Sequence, residues 1–530
     1  MPDRYRPELT KEKFDAIIIG SGLGGLTLAA LMAKKGKRAL VLERHYAAGG
    51  FTHTFKRTGG FSWDVGVHYI GRVDDKKAFL RRAFDYITDG KLEWASMGNV
   101  YDKAFFGDDE YDFIIGVENQ IALFSERFPG EEGAIRKYYQ LVKDVNAKVN
   151  LFFGDRALSF GWSKYVGWMM RRQFYQYSDK TTYEVISGLT RNKQLISVLC
   201  AQFGNYGIPP KRSSFVIHAM VVSHYLYGGN YPVGGASRIV ECIEPVIESA
   251  GGKVIIRAEV EEIIVKKNRA IGVKMANGDE LFADKIISNA GAWNTYSKLI
   301  PQDFKLPFDA AHDLQRVRPS TANMGLFLGL NGSDEELRLP KHNYWLYDSY
   351  DIDGDLAEAI KSPHKDPPMG YVSFPSAKDP AWASENPGKS TVQVISLADY
   401  EWFRKWEGER WMKRGGEYEE LKDKLKGFML KKLLKVAPQI EDKIEVCEVS
   451  SPLTTKHFAN YQKGEIYGLE HTPERFRVKW LRAQTPVRNL FMTGQDIVTV
   501  GIGGALMAGL ITGASMMKTN FIKKVVQETS

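Results

Sequence analysis

The chain has 530 residues, 44% hydrophobic, 26% charged and 12% aromatic, the balance of a folded globular protein of about two to four structural units. Its net charge of +8 is scattered rather than drawn into the Lys/Arg stripe of a nucleic-acid-binding protein, and that class is set aside. Cys200, Cys242 and Cys447 form no CxxC pair, which argues against a disulfide framework or thiolate metal site and suits a reducing compartment.

Residues 1–13 are charged and run directly into a strand-like segment, so no secretory signal is expected and a cytoplasmic location is. Residues 14–19 form a short apolar run rich in β-branched side chains, as in a strand buried on both faces. Glycines follow, then helical periodicity over 26–35, a stop at Gly36 and a second strand over 38–42. This is a βαβ unit near the minimum length for such a crossover. Two uncharged stretches, 16–33 and 497–517, approach the length of a membrane span. Both are glycine-rich and the first breaks at Gly20, so both are expected to be buried βα units.

From residue 74 to about 199 the pattern changes to charged and aromatic helical segments without dinucleotide features. A second α/β stretch begins near Tyr231, with a helix over 239–249 and a strand over 253–256. A β-meander follows over 260–265, 270–275 and 280–282, then a strand over 285–288 leading to Asn289-Ala290-Gly291. The section to 486 holds Pro-rich loops at 362–368 and 375–387 and a charged helix over 417–435. The chain closes with a strand over 489–493, a turn at Gly494 and the uncharged helix. The expected fold is α/β: a Rossmann-type dinucleotide-binding domain assembled from segments 1–73, 201–292 and 487–530. A helical region over 74–200, facing a membrane in part, and an α+β substrate domain over 293–486 are inserted.

Gly20-Ser21-Gly22-Leu23-Gly24-Gly25 fits GxGxxG. The first glycine permits the tight turn, the second lets backbone approach a pyrophosphate, and the third lets helix and strand pack closely. The helix start offers free N–H groups and a positive dipole end. Glu43 stands at the end of the second strand, where a carboxylate accepts ribose hydroxyls. A second glycine pair, Gly49-Gly50, comes soon after Arg44, and the chain end adds Gly494, Asp496 and Gly501-Ile502-Gly503 opening a helix. Three separated segments meeting one long cofactor favour FAD over NAD. Arg44 and His53 join the cofactor-binding set.

Five blocks carry a family resemblance: 41–55 (VLERHYAAGGFTHTF), 64–71 (DVGVHYIG), 231–238 (YPVGGASR), 287–296 (ISNAGAWNTY) and 481–505. They resemble the retinol saturase family within the phytoene desaturase and carotenoid isomerase superfamily; the match is thin over 74–179 and 335–435. Carotenoid desaturases usually have an arginine after the glycine pair and another two residues after the acid. Phe51 and His45 stand there in this chain, which favours the saturase-like group. The resemblance implies that Glu43, Gly49, Gly50, Val260, Gly494 and Asp496 touch FAD, Val260 through its backbone at the adenine. It also implies reduction of a carbon–carbon double bond in a retinoid, carotenoid or related lipid. A desaturase, a redox-neutral isomerase and a non-enzymatic flavin-containing lipid-binding protein remain the alternatives, and the electron source and oligomeric state stay open.

Saturation needs a positioned proton donor. His68, His224 and Tyr231 are the leading candidates, with His53 and Tyr225 beside them; nothing suggests a metal. Peripheral membrane contact is expected of 152–177. Phe152, Phe153, Phe160, Trp162, Tyr165, Trp168, Met169, Met170 and Phe174 are interleaved there with Lys164, Arg171 and Arg172.

Overall fold

A computed structural model describes residues 2–529. Its first layer is a six-stranded parallel sheet, in the order Asp3–Arg4, Lys253–Ile256, Ala39–Leu42, Ala16–Ile19, Lys285–Ser288 and Leu490–Met492. The three expected segments therefore do build one sheet. Ile17 lies in register with Leu40 on one side and Ile286 on the other, and Ile287 with Phe491. Ala16–Ile19 and Ala39–Leu42 are buried on both faces, which is why they read as unbroken apolar runs rather than alternating ones.

Helix Leu23–Ala33 is buried along its whole length and lies against Gly501–Met517. Small residues make that approach possible: a Cβ on Gly509 would stand 2.6 Å from Thr27 Cβ. Both uncharged stretches are thus spent inside the nucleotide-binding layer. Among the described residues no helix is long and apolar enough to cross a membrane. The meander forms as Val260–Lys266, Arg269–Met275 and Glu280–Phe282. Its first turn is the two-residue pair Lys267-Asn268, both at positive φ, the geometry that follows strand twist.

The second layer is a mixed seven-stranded sheet, ordered Ile444–Ser450, Ala322–Asn331, Lys389–Ala398, Met369–Ser373, Asn343–Tyr347, Val100–Phe106 and Asp109–Ile114. Trp345 pairs with Ala104 in parallel, so one sheet joins strands from 74–200 to strands from 293–486. Along its strands Leu326, Leu328, Val372 and Val394 pack beneath helix Gly416–Val436, while Phe327, Tyr371, Gln393 and Ile395 face the opposite way. In place of a continuous Pro-rich loop at 375–387, short helices form at Pro375–Lys378 and Trp382–Glu385; Pro375 sits at a first helical position, where its missing N–H costs nothing.

Helices Glu132–Ala157 and Phe160–Ser178 make an antiparallel hairpin. Part of the segment expected outside is core. Phe152 and Phe174 stack at 3.7 Å, Phe153 is buried beside them, and the Arg171 guanidinium donates to Asp155 Oδ2 at 2.6 Å. Burying these three rings removes more apolar surface from water than leaving them exposed. Trp162, Tyr165, Trp168 and Met169 stay exposed along one helix face.

Candidate active site

A cavity of about 1070 Å³ runs from the glycine turn, between the two layers, to the inner face of the seven-stranded sheet. Gly20, Gly22, Leu23 and Gly24 line its first end with Glu43, Arg44, Gly49, Gly50, His53 and Val260. Gly494, Asp496, Gly501 and Ile502 reach it from the chain end. The close approaches need glycine. A Cβ on Gly24 would stand 2.8 Å from the Gly494 nitrogen, and one on Gly50, at φ 57°, would stand 3.1 Å from Gly22 Cα.

Glu43 is held from two sides. One carboxylate oxygen accepts from the Ser21 N–H at 2.9 Å and the Ser21 hydroxyl at 2.7 Å, and the other accepts from the His45 N–H at 2.8 Å. The Ser21 hydroxyl in turn accepts from the Gly49 N–H at 3.0 Å, tying the two glycine turns together. Asp496 accepts from the Ala292 and Leu469 N–H groups at 2.7 and 2.9 Å, with the Arg475 guanidinium 3.8 Å away.

Three members of the expected cofactor set stand back from the cavity. Ser21 is buried behind it and acts through Glu43. Gly25 allows packing, since its Cβ would lie 2.6 Å from the Gly20 carbonyl oxygen. Gly503 points towards Leu80 on the far side of its helix. Asn289 was missing from that set, although it directly follows the strand beside Ala16–Ile19. Its amide donates to the Gly20 and Gly22 carbonyls at 3.3 and 3.2 Å, and it lines the cavity.

The proton-donor candidates separate. His68 lines the cavity, and its Nδ1 is buried without a partner among the described residues. Burial, with the Lys378 cation nearby, pushes its imidazole down to about 3, so the ring is neutral at pH 7. His224 does not line the cavity: its Nε2 accepts from the Gly71 N–H at 2.8 Å. Nor does Tyr231, whose hydroxyl donates to the buried Asp64 carboxylate. Tyr225 stacks on Tyr69 at 4.0 Å within the core. His53 lines the cavity, its Nδ1 2.5 Å from the Gly50 carbonyl oxygen. Among the described residues no cluster of His, Cys, Asp and Glu could hold a metal.

The residues present fit FAD. Two glycine-rich helix starts aim N–H groups at one cavity. Along the same wall, Thr493 Oγ1 and Asn294 Oδ1 are buried without partners among the described residues.

The NAD(P)-binding Rossmann-like domain family matches residues 18–87. An all-trans-retinol 13,14-reductase of Danio rerio is 37% identical over 532 residues, covering 96% of this chain and 87% of that protein. An inactive all-trans-retinol 13,14-reductase of the same fish is 32% identical, covering 97% and 87%. Cyclohexylamine oxidase from Brevibacterium oxydans shares the fold, with a TM-score of 0.59, 16% identity and coverage of 98% and 99%. With the glycine cradle and its paired carboxylates, this likeness places the chain in the all-trans-retinol 13,14-reductase family of FAD-dependent oxidoreductases.

Proposed function

We propose that this protein saturates a carbon–carbon double bond of a lipophilic polyene, a retinoid being the substrate class. The observation that carries the reading is the continuity of the cavity. It joins the dinucleotide cradle to an inner wall of Phe327, Trp345, Met369, Tyr371, Ile395 and Leu397, where a conjugated chain would lie against rings and branched aliphatics. Relatives named all-trans-retinol 13,14-reductase support the substrate class.

FAD, when bound, supplies hydride chemistry at its ring. Gly20, Gly22, Gly24, Glu43, Gly49, Gly50 and Val260 would hold its adenosine and pyrophosphate half, and Gly494, Asp496, Gly501 and Ile502 the other. The apolar wall excludes water from the reacting bond. The proton for the neighbouring carbon enters from the same wall. His68 is the one leading candidate there, and its neutral ring positions that proton by hydrogen bonding rather than storing it as imidazolium. Behind it the buried Lys378 ammonium donates to the His68 carbonyl oxygen at 3.1 Å and the Ser373 hydroxyl at 2.7 Å, holding the backbone that carries that ring.

The same reading has the enzyme peripheral on a membrane and cytoplasmic. Its support is the helix face bearing Trp162, Tyr165, Trp168 and Met169 beside Lys164 and Arg172, rings and cations suited to an anionic headgroup boundary.

The test mixes anaerobically reduced holoprotein with a panel of retinoids and carotenoids and follows flavin reoxidation optically. Reoxidation with a saturated product supports the reductase. Reduced flavin that ignores every polyene, with oxidised flavin bleached by a more saturated lipid, replaces it with the desaturase.

A further inference from the structure

The turn between Gly494 and Gly501 is held from behind by one buried cation. Arg475 is 2% exposed, lies in the short helix Pro473–Arg477 and does not line the cavity. Its guanidinium donates to the carbonyl oxygens of Leu469 at 2.5 Å, Gln495 at 2.8 Å and Asp496 at 3.0 Å. The same guanidinium stands 3.8 Å from Asp496 Oδ1, and among the described residues no other cation pairs with that carboxylate.

Asp496 is itself buried, yet it lines the cavity beside Gln495. Its Oδ2 accepts from the Ala292 N–H and its Oδ1 from the Leu469 N–H. Two glycines make room for it. A Cβ on Gly468 would strike Oδ1, and one on Gly291 would stand 3.2 Å from Oδ2. Nearby in the chain, the fully buried His471 accepts the Val500 N–H at 3.0 Å through Nε2, so the same segment also fixes the residue that opens helix Gly501–Met517.

A guanidinium keeps its charge at any working pH. A buried carboxylate stripped of its cation is costly, and it sets a negative potential at whatever it touches. Reducing a flavin adds negative charge to its ring system, which such a potential opposes. Arg475 therefore has two separable effects on the far half of the cofactor site. Its hydrogen bonds place the backbone of Gln495 and Asp496, and its charge cancels that of the Asp496 side chain.

We propose that Arg475 is a positioning residue for the flavin, neutralising Asp496 so that this carboxylate holds the cofactor without opposing its reduction. Arg475 acts only through Asp496 and the backbone around it. The inference rests on FAD occupying the cavity and not on which polyene is reduced, and its test needs no substrate.

The midpoint potential of the bound flavin is measured by anaerobic titration of the holoprotein against reference dyes, and FAD affinity by titration of apoprotein. Arg475→Met should move the potential negative by about 30 mV or more, the shift that a tenfold weaker preference for reduced flavin makes in a two-electron couple. FAD affinity should fall about tenfold or more with it. Asp496→Asn leaves the arginine unopposed and should move the potential positive. The Asp496→Asn/Arg475→Met double variant should return close to wild type, because the charges leave together. Arg475→Lys restores the charge without the planar fork, and should keep the wild-type potential while FAD affinity stays reduced. Shifts of one sign in both single variants, as general loosening of the turn produces, overturn the proposal. So does a potential that either single variant leaves unmoved. If the methionine variant retains no flavin, Asp496→Asn and Arg475→Lys decide: a positive shift in the first with a wild-type potential in the second supports the assignment, and any other pair of results overturns it.

Discussion

Glu43 and Ser21 are bonded twice, the same carboxylate oxygen accepting from both the backbone N–H and the hydroxyl of Ser21. The pair locks the end of one strand to the first turn of the glycine motif, while the opposite oxygen of Glu43 takes the His45 N–H. The carboxylate that is to meet a ribose is thus immobilised before any cofactor arrives, which lowers the ordering cost of binding.

Glu43→Gln tests that arrangement. An amide has one acceptor oxygen and turns an NH2 toward an N–H donor that a carboxylate would satisfy. Charge-assisted bonds of this kind are each worth about 1.5–3 kcal/mol, so FAD affinity should fall about ten- to a hundredfold. Titration of apoprotein with FAD, read by flavin fluorescence quenching, measures it. Unchanged affinity would remove Glu43 from the cofactor site.

Gly24→Ala should be far more damaging than its size suggests. The new Cβ would meet the Gly494 nitrogen at 2.8 Å and the Ala505 carbonyl oxygen at 3.1 Å, backbone atoms that cannot rotate aside. Overpacking of this sort costs about 1–3 kcal/mol, and here it also pushes apart the first and last segments of the cofactor cradle. Gly133→Ala is the control: it lies in helix Glu132–Ala157 with nothing within 4 Å of its Cβ, and should raise stability by about 0.5–1 kcal/mol. Thermal melts and bound-FAD content of the two variants make the comparison.

The difference in what could be read from the sequence follows from geometry. Gly20–Gly25, Glu43 and the closing Gly494–Gly503 stretch announce themselves because chemistry and backbone conformation both demand particular residues at fixed spacing. The seven-stranded sheet has no such signature. Ala322–Asn331, with Met324 to Leu330 apolar or glycine throughout, is a run whose period fits a buried helix as well as a buried strand. Its neighbours come from residues 389–398 and 444–450, a pairing no local pattern encodes. Tyr371 and Gln393 therefore stayed hidden, since their shared face exists only once those strands pair. His224 and Tyr231 were conspicuous for the opposite reason. They sit in blocks near the cofactor, yet Gly71 and Asp64 consume their polar atoms.

Asp64 gives a pH test. It is buried, accepting from Tyr231 and from the Ala236 N–H at 3.0 Å, and burial pushes its carboxyl up from 3.8 to about 7. A raised folded-state value means the native protein holds the proton longer than the unfolded chain does. The stability this provides is complete below pH about 4 and is lost as pH rises through about 7. Asp102, pushed up to about 6, adds the same sign, whereas the buried neutral His68 and His218 oppose it. The informative quantity is therefore a difference. The melting temperature of Asp64→Asn minus that of wild type should climb steadily between pH 4 and 7 and flatten outside that window. A difference independent of pH would mean that Asp64 is ionised in the fold throughout.

The hairpin helix Phe160–Ser178 carries the membrane prediction. Trp162 is 68% exposed and Trp168 62%, an arrangement that leaves two indoles in water with no compensation from the fold. Lys164 and Arg172 flank them, while Arg171 of the same helix is already committed to Asp155. Indole rings settle at the headgroup level, and each flanking cation adds about 1 kcal/mol at an anionic surface. Co-sedimentation with phosphatidylserine-containing vesicles should therefore drop about tenfold or more in the Trp162→Ser/Trp168→Ser double variant, and high salt should weaken wild-type binding. The melting temperature should hold, because neither indole is part of the core. Undiminished vesicle binding by the double variant would move the membrane face elsewhere on the molecule, and absence of binding by wild type would end the proposal.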